Sequence, residues 1–161
     1  MYRRLLSILF LAIAHGDNKL IMDRVNYYRA QHMATPVVWN TTLETLSDKW
    51  AQQLAKKDAL EHEAMIDAGE NLYYTWSSSP IIDAIDDWYS EVKNYNFNFA
   101  DKNDPSQTLH FTQLVWNSSL SIGASFARRS TGAAYVVMRF SPHGNVWGEF
   151  WKNVFPKMVL V

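Results

Sequence analysis

The sequence predicts an α+β domain, with helices packed on a small antiparallel sheet. Three observations carry this. Apolar residues recur at helical spacing through the first part of the chain. Two β-rich runs, SIGASFARR and AAYVVMRFS, stand late in the chain with only Ser130-Thr131-Gly132 between them, the pattern of a hairpin. The length of 161 residues suffices for one full hydrophobic core and is short for two. Helices first and paired strands late is the order of an α+β architecture, and no internal repeat interrupts it.

The elements follow in order. MYRRLLSILFLAIAHG opens with two arginines, continues with the apolar run Leu5 to Ala14, and sets Ala12 and Ala14 as A-x-A before His15. That order of charge, apolar segment and small residues is a secretory signal over residues 1–14, leaving 15–161 as a single domain of a secreted, extracellular protein. The alternative is a short N-terminal helix packed on a cytosolic protein. Ten apolar residues span about 15 Å as a helix against a hydrocarbon core of about 30 Å, so no transmembrane span is expected. Tyr2 in place of Gly excludes N-myristoylation.

Ile21, Val25, Tyr28 and His32 then fall on one helical face, with Asp17 and Asn18 as N-cap candidates. Thr41-Thr42-Leu43-Glu44 reads as a capping box opening a second helix with the stripe Leu43, Leu46, Trp50 and Leu54. Ser79-Pro80 is an N-cap followed by proline at the first helical position, opening a third helix through Ile81, Ile85, Trp88 and Val92, whose stripe Glu91 borders. Asp101 to Gln107, polar and carrying Pro105, is the most loop-like interior segment. A short helix around His110 to Trp116 precedes the two strands, and the loop SPHGN leads into the aromatic tail VWGEFWKNVFP.

Composition narrows the function classes. Hydrophobic residues make up 48% and charged residues 19%, ordinary for a soluble domain, and the net charge of -1 supplies no field for a phosphate backbone, so nucleic acid is not a partner. Aromatic residues at 14%, with seven Trp and eight Tyr, suit a ring-built core or an exposed aromatic groove. There is no cysteine, hence no disulfide and no thiol nucleophile. Two sequons, at Asn40 and Asn117, are glycosylation sites for an exported chain.

Familiar catalytic motifs are missing. There is no G-x-S-x-G elbow and no glycine-rich phosphate loop. His62-Glu63 begins like H-E-x-x-H, but position 66 is Ile. What remains are ionisable residues beside apolar or turn-forming neighbours: His62 in ALEHEA, Glu70 in AGENLYY, Glu91 in WYSEVKNYNF and His110 in HFTQLVW. Spacing alone does not bring them together, and each has an innocent reading as a cap or a surface charge.

Those four segments carry a resemblance. HFTQLVW resembles H-F-T-Q-x-V-W, GENL resembles G-E-N-[IL], and FSPHGNV resembles Y-x-P-x-G-N with Phe140 where Tyr is common; NYYRAQH and WYSEVKNYNF match helical segments of the same family. This is the CAP superfamily of cysteine-rich secretory proteins, antigen-five allergens and plant pathogenesis-related proteins, and the likeness runs from about residue 18 to residue 156. The lack of cysteine and the endings KNYNF and GNVWGEFWKNVFP look most like its Golgi-associated pathogenesis-related branch. That branch's founding type is described as myristoylated and cytosolic, a pattern from which Tyr2 and the leader depart.

The resemblance implies a three-layer α-β-α sandwich whose central groove gathers His62, Glu70, Glu91 and His110. It implies that His110 faces a polar cleft while Phe111 and Val115 pack inward. Two imidazoles, His62 and His110, suit a weakly bound divalent ion such as zinc unless Glu70 or Glu91 joins them, and a free glutamate would serve a metal-dependent hydrolase as general base. Without catalysis the cleft is a hydrogen-bonded network. The family's sterol site lies in the loop after G-E-N, here YYTWSSSP with Tyr73, Tyr74 and Trp76, so a lipid or sterol is a second expected ligand. A secreted interaction or defence protein with a protein partner is the third reading. The balance of these expectations is a ligand-binding module with no defined catalysis.

Overall fold

The computed structural model describes residues 2–158, with side chains described from residue 17 onward. The leader expected over residues 1–14 lies outside the described side chains. In chain order the elements are helix α1 (Tyr2–Gln31), strand β1 (Val38–Trp39), helix α2 (Thr41–Lys57), strand β2 (Gly69–Thr75), helix α3 (Pro80–Ser90), helix α4 (Leu109–Leu114), strands β3 (Ser121–Arg128) and β4 (Ala134–Ser141), and the short helix α5 (Phe150–Asn153). Tight 3-10 turns at Glu91–Asn94, Phe97–Lys102 and Pro105–Gln107 bridge α3 and α4, so most of the expected loop from Asp101 to Gln107 is helical turn.

The expected hairpin forms, with Ser121 opposite Ser141 and Arg128 opposite Ala134. β2 lies antiparallel along the other side of β4, from Gly69 opposite Phe140 to Thr75 opposite Ala134. β1 joins β3 in parallel through Val38 with Ser121 and Trp39 with Ile122, which gives the order β1-β3-β4-β2 and a mixed sheet in place of a wholly antiparallel one.

Alternation along β4 builds two cores. Val136, Met138 and Phe140 join Ile122 and Ala124 on one face, under Val25 of α1, Trp88 of α3 and Phe111 of α4. Tyr135 and Val137 face the other way and pack with Leu72 beneath Trp50, Ala51 and Leu54 of α2. β4 is buried from Ala134 to Phe140 because helices cover both its faces and strands flank both its edges. A strand covered on both faces reads as a nearly continuous apolar run, as YVVM does. The result is the three-layer α-β-α sandwich.

Helix boundaries differ from expectation in ways with local causes. α1 begins at Tyr2, so Asp17 and Asn18 are interior residues and not N-caps; Ile21, Val25 and His32 are buried as the stripe requires. Tyr28 is half-buried and stacks on Tyr89 with ring centroids 3.7 Å apart. α2 is capped by Asn40, whose Oδ1 accepts from the N–H groups of Thr42 and Leu43 at 2.9 and 3.2 Å, so the Thr41 capping box does not form. The Glu44 carboxylate instead accepts from Trp39 Nε1 at 2.8 Å. Leu46 is exposed, and Ser47 takes the inner position, its hydroxyl donating to Gly123 O at 3.0 Å. A Cβ at Gly123 would lie 2.1 Å from Glu44 N, so the first turn of α2 rests directly on β3. α3 starts at Pro80 as expected and buries Ile81, Ile85 and Trp88, but ends at Ser90, leaving Val92 to the following turn.

One polar residue ties the layers on the α1 side. Arg29 is fully buried with no acid beside it. Its Nε and Nη2 donate to Thr35 O at 2.8 and 2.6 Å, Nη1 donates to Leu114 O and Trp116 O at 3.0 Å each, and Nη2 also reaches Ser119 O at 2.8 Å. Every guanidinium donor is thereby used.

Candidate functional site

His62 lies on the connection between α2 and β2, and Glu70 is the second residue of β2. His62 Nδ1 is 2.8 Å from Glu70 Oε1, which also accepts the N–H of Glu63 at 3.2 Å. Glu70 Oε2 accepts from Arg139 Nη2 at 3.2 Å, and the same Nη2 pairs with Glu63 Oε2. Glu70 and Arg139 face each other across the β2–β4 register. Their side chains are buried while the His62 ring stays open. The hydrogen bond to Glu70 raises the His62 pKa above its usual 6.5, against a smaller lowering by partial burial.

His110 is the second residue of α4, and Glu91 opens the turn that follows α3. His110 Nδ1 is 2.7 Å from Glu91 Oε1, and Glu91 Oε2 accepts the N–H of Phe111 at 3.0 Å. The ring lies against Trp88, centroids 6.1 Å apart and planes within 20°. Trp88 is held in turn by its Nε1 donating to Leu72 O at 3.1 Å. Phe111 and Val115 are fully buried, so the two faces of HFTQLVW divide as the motif implied.

Both pairs follow one design. In each, a glutamate takes the Nδ1 of the histidine and the backbone N–H of the residue just after it. A carboxylate only accepts, so Nδ1 donates in each pair and Nε2 is the ring nitrogen turned away from the glutamate. Neither Nε2 hydrogen-bonds to another described residue. The pairs are braced from the start of β2: Glu70 holds His62, while its neighbour Asn71 donates from Nδ2 to His110 O at 3.0 Å. The structure thus assembles the four residues as two pairs, with no side-chain bond between the pairs among the described residues.

The three motifs lock together behind them at Gln113, which is buried. Its Oε1 accepts from Gly144 N at 2.9 Å and its Nε2 donates to Ser119 Oγ at 3.2 Å. Gly69 and Gly144 are glycines because a Cβ at either would strike this amide, at 2.0 Å and 2.7 Å. Asn145 completes the lock, accepting from Thr112 Oγ1 at 2.7 Å and donating to Leu109 O at 2.9 Å.

The other expected site residues fall as follows. Tyr73 and Tyr74 belong to β2 and not to a loop; Tyr73 packs edge-on against Trp88 and Tyr74 against Tyr135. Trp76 lies beyond the strand, 65% exposed, with its ring 4.9 Å from that of Tyr74. Asn40 is occupied as the α2 cap, and the half-buried Asn117 accepts from Thr35 N and Oγ1 at 3.0 and 3.1 Å. Sequence reasoning missed Arg139, Gln113, Asn71 and Asn145. Arg139 had a signal, since a charge inside the run YVVMRF must either be paired or break the strand.

The donors give a direct test of fit to a resident metal. Zinc sites with a structural or catalytic role take three or four protein ligands. Here Glu70 and Glu91 are already engaged with ring and backbone donors, and among the described residues no group of three or more His, Cys, Asp or Glu side chains is arranged to hold an ion. The residues do not fit a resident three- or four-ligand centre.

An α-β-α sandwich with two carboxylate-braced histidines beside its edge strand β2, and three motifs locked behind them, is a CAP-type domain. The family model described as the cysteine-rich secretory protein family, CAP, matches residues 22–140, and the chain belongs to this family. It is 35% identical over 141 residues to the human Golgi-associated plant pathogenesis-related protein 1, covering 84% of this chain and 90% of that one. It is 29% identical over 140 residues to a PR-1 type pathogenesis-related protein of Sambucus nigra, covering 86% and 83% of the two chains. Among solved structures, BmVAL-1 superposes with a TM-score of 0.72 at 24% identity over 88% of this chain and 82% of that one. The Schistosoma mansoni venom allergen-like protein 4 superposes at 0.68 and 19%, over 89% and 96%. Among the described residues no helix is long and apolar enough to cross a membrane.

Proposed function

We propose that this chain is an exported ligand-binding module whose cleft presents two aimed imidazoles, with no reaction of its own. The observation that carries this reading is the shared brace. Each glutamate is committed to a ring and to a backbone N–H, which orients Nε2 and leaves no carboxylate free to take a proton from water. A metal-dependent hydrolase needs that free base, and a nucleophile is also lacking. A divalent ion such as zinc would be held by His62 and His110 with water completing its shell, and would therefore exchange readily. One structural neighbour, NaASP2, is described with Zn2+. Calorimetric titration of zinc into wild type and the His62→Ala/His110→Ala double variant tests the reading. Weak saturable binding that vanishes in the double variant is expected, and Glu91→Gln, which keeps the fold but loosens the brace, should weaken it roughly 10- to 100-fold. Equal heats from wild type and the double variant would remove the metal.

A second reading, lipid or sterol carriage, rests on the exposed Trp76 beside Tyr74. With Tyr73 and Tyr74 tied into the sheet, Trp76 is the ring left to meet an apolar ligand. A fluorescent sterol should bind saturably to wild type and poorly to Trp76→Ala; indifference to that substitution would discard the loop as the site. Both readings suit a protein of the secretory route. The order of charge, apolar run and small residues over 1–14 and the names of fungal relatives, such as secreted protein PRY1 of Candida albicans, support that route.

A further inference from the structure

Apart from the residues of the two histidine–glutamate pairs, the segment between Asn96 and Asn103 is closed on itself by one side chain. Asn103 Oδ1 accepts from Asn96 N at 2.6 Å, and its Nδ2 donates to the carbonyls of Asn96, Phe99 and Ala100 at 3.2, 3.3 and 3.1 Å. Asp101 Oδ1 then accepts Gly148 N at 3.0 Å and fastens this turn to the chain ahead of α5. Between them runs a groove of about 290 Å3 lined by Phe97, Asn98, Phe99, Asp101, Lys102 and Trp151. Such a volume sits at the small end of ligand pockets, and the cross-bonded turn makes it preformed, which lowers the entropic cost of binding.

The lining has two chemistries side by side. Phe99 and Trp151 are 58% and 62% exposed, rings that the fold places outside its own core. Beside them are polar groups with unspent capacity: neither the Asn98 side chain nor Asp101 Oδ2 hydrogen-bonds to a described residue, and the Lys102 ammonium rests 5.9 Å over the Phe99 ring. Lys102 and Asp101 cancel, and the Lys152 ammonium, 5.1 Å over one side of the Trp151 ring, is paired with Glu149 at 2.9 Å, so the groove has no net attraction for a polyanion. A carboxylate in the lining makes burial in lipid costly. A pyranose matches this surface, since its C–H face stacks on an aromatic ring while its hydroxyls bond to amide and carboxylate at the ring's edge.

We propose that this groove binds a neutral pyranose unit of an oligosaccharide, stacked on Trp151 and hydrogen-bonded by Asn98 and Asp101. The site is separate from the histidine cleft, so the two stand or fall independently. The test titrates the full chain with chitohexaose, cellohexaose and laminarihexaose, read by tryptophan fluorescence and calorimetry. Saturable binding of at least one is expected. Trp151→Ala should weaken it by roughly tenfold or more, about 1.4 kcal/mol, and Asn98→Ala should weaken it measurably, with circular dichroism unchanged because both side chains are exposed. Trp76→Ala and His62→Ala/His110→Ala should bind as wild type. Absence of saturable binding to all three sugars, or wild-type affinity in Trp151→Ala, overturns the proposal. Phospholipid vesicles that capture the chain through Trp151 while the sugars do not bind would overturn it too, and would assign the groove to a membrane surface.

Discussion

Arg29 carries a formal charge into the core and meets only carbonyl oxygens there, two of them at the end of α4, where backbone dipoles favour a cation. Burial lowers its pKa to about 10, so the group is still charged at neutral pH. Arg29→Met would match its bulk but strip donors from the carbonyls of Thr35, Leu114, Trp116 and Ser119. The expected loss is about 3–5 kcal/mol, read from the urea midpoint; a loss under about 1 kcal/mol would mean that water replaces the guanidinium. Residues of this kind mark the limit of reading a site from sequence. His62 and His110 were found through their motifs, because periodicity says nothing about which distant carboxylate each ring will meet. Arg139, a charge within an apolar strand that the sequence reading passes over, has its partners Glu63 and Glu70 far away in sequence, where they meet it only when β2 pairs with β4.

At the scale of elements, legibility followed the source of stability. The β3–β4 hairpin was visible because both strands are local neighbours, and β4, covered on two faces, spells an apolar run. Helices α2 and α3 are visible through their 3.6-residue stripes, although the stripe of α2 turns Leu46 inward where the structure buries Ser47, one position on. A small hydroxyl suits the inner position because α2 lies so close to Gly123. β2 was not legible as a strand. GENLYYT opens with residues that strands disfavour, and it is held by its register on β4 and by Trp88 gripping Leu72 O. β1 spans two residues, too few for any period to show. The cap of α2 moved from Thr41 to Asn40 because β1 ends there and sets the amide against the first turn.

The molecule as a whole is closed by His32. This fully buried ring sits 2.6 Å from Phe155 O through Nδ1 and 3.1 Å from Tyr89 OH through Nε2, while Met158 N donates to Gln31 O at 3.0 Å, so the segment after α5 is bound to the end of α1. Burial lowers the His32 pKa below 6.5, and Lys157 adds to the lowering. The unfolded chain therefore takes up a proton at a pH where the folded one does not, and stability falls as pH drops from 6.5 toward the folded value. Urea midpoints should decline between about pH 7 and pH 5, and His32→Gln should flatten that decline; an unchanged slope would assign acid sensitivity to other groups. The sheet order has a kinetic side as well. Arg128 reaches Ala134 within one hairpin, whereas Gly69 must find Phe140 across α3, α4 and β3. Chain closure over that separation is the slower event, so the strand bearing Glu70 docks onto a hairpin able to form without it, and the cleft is among the late products of folding.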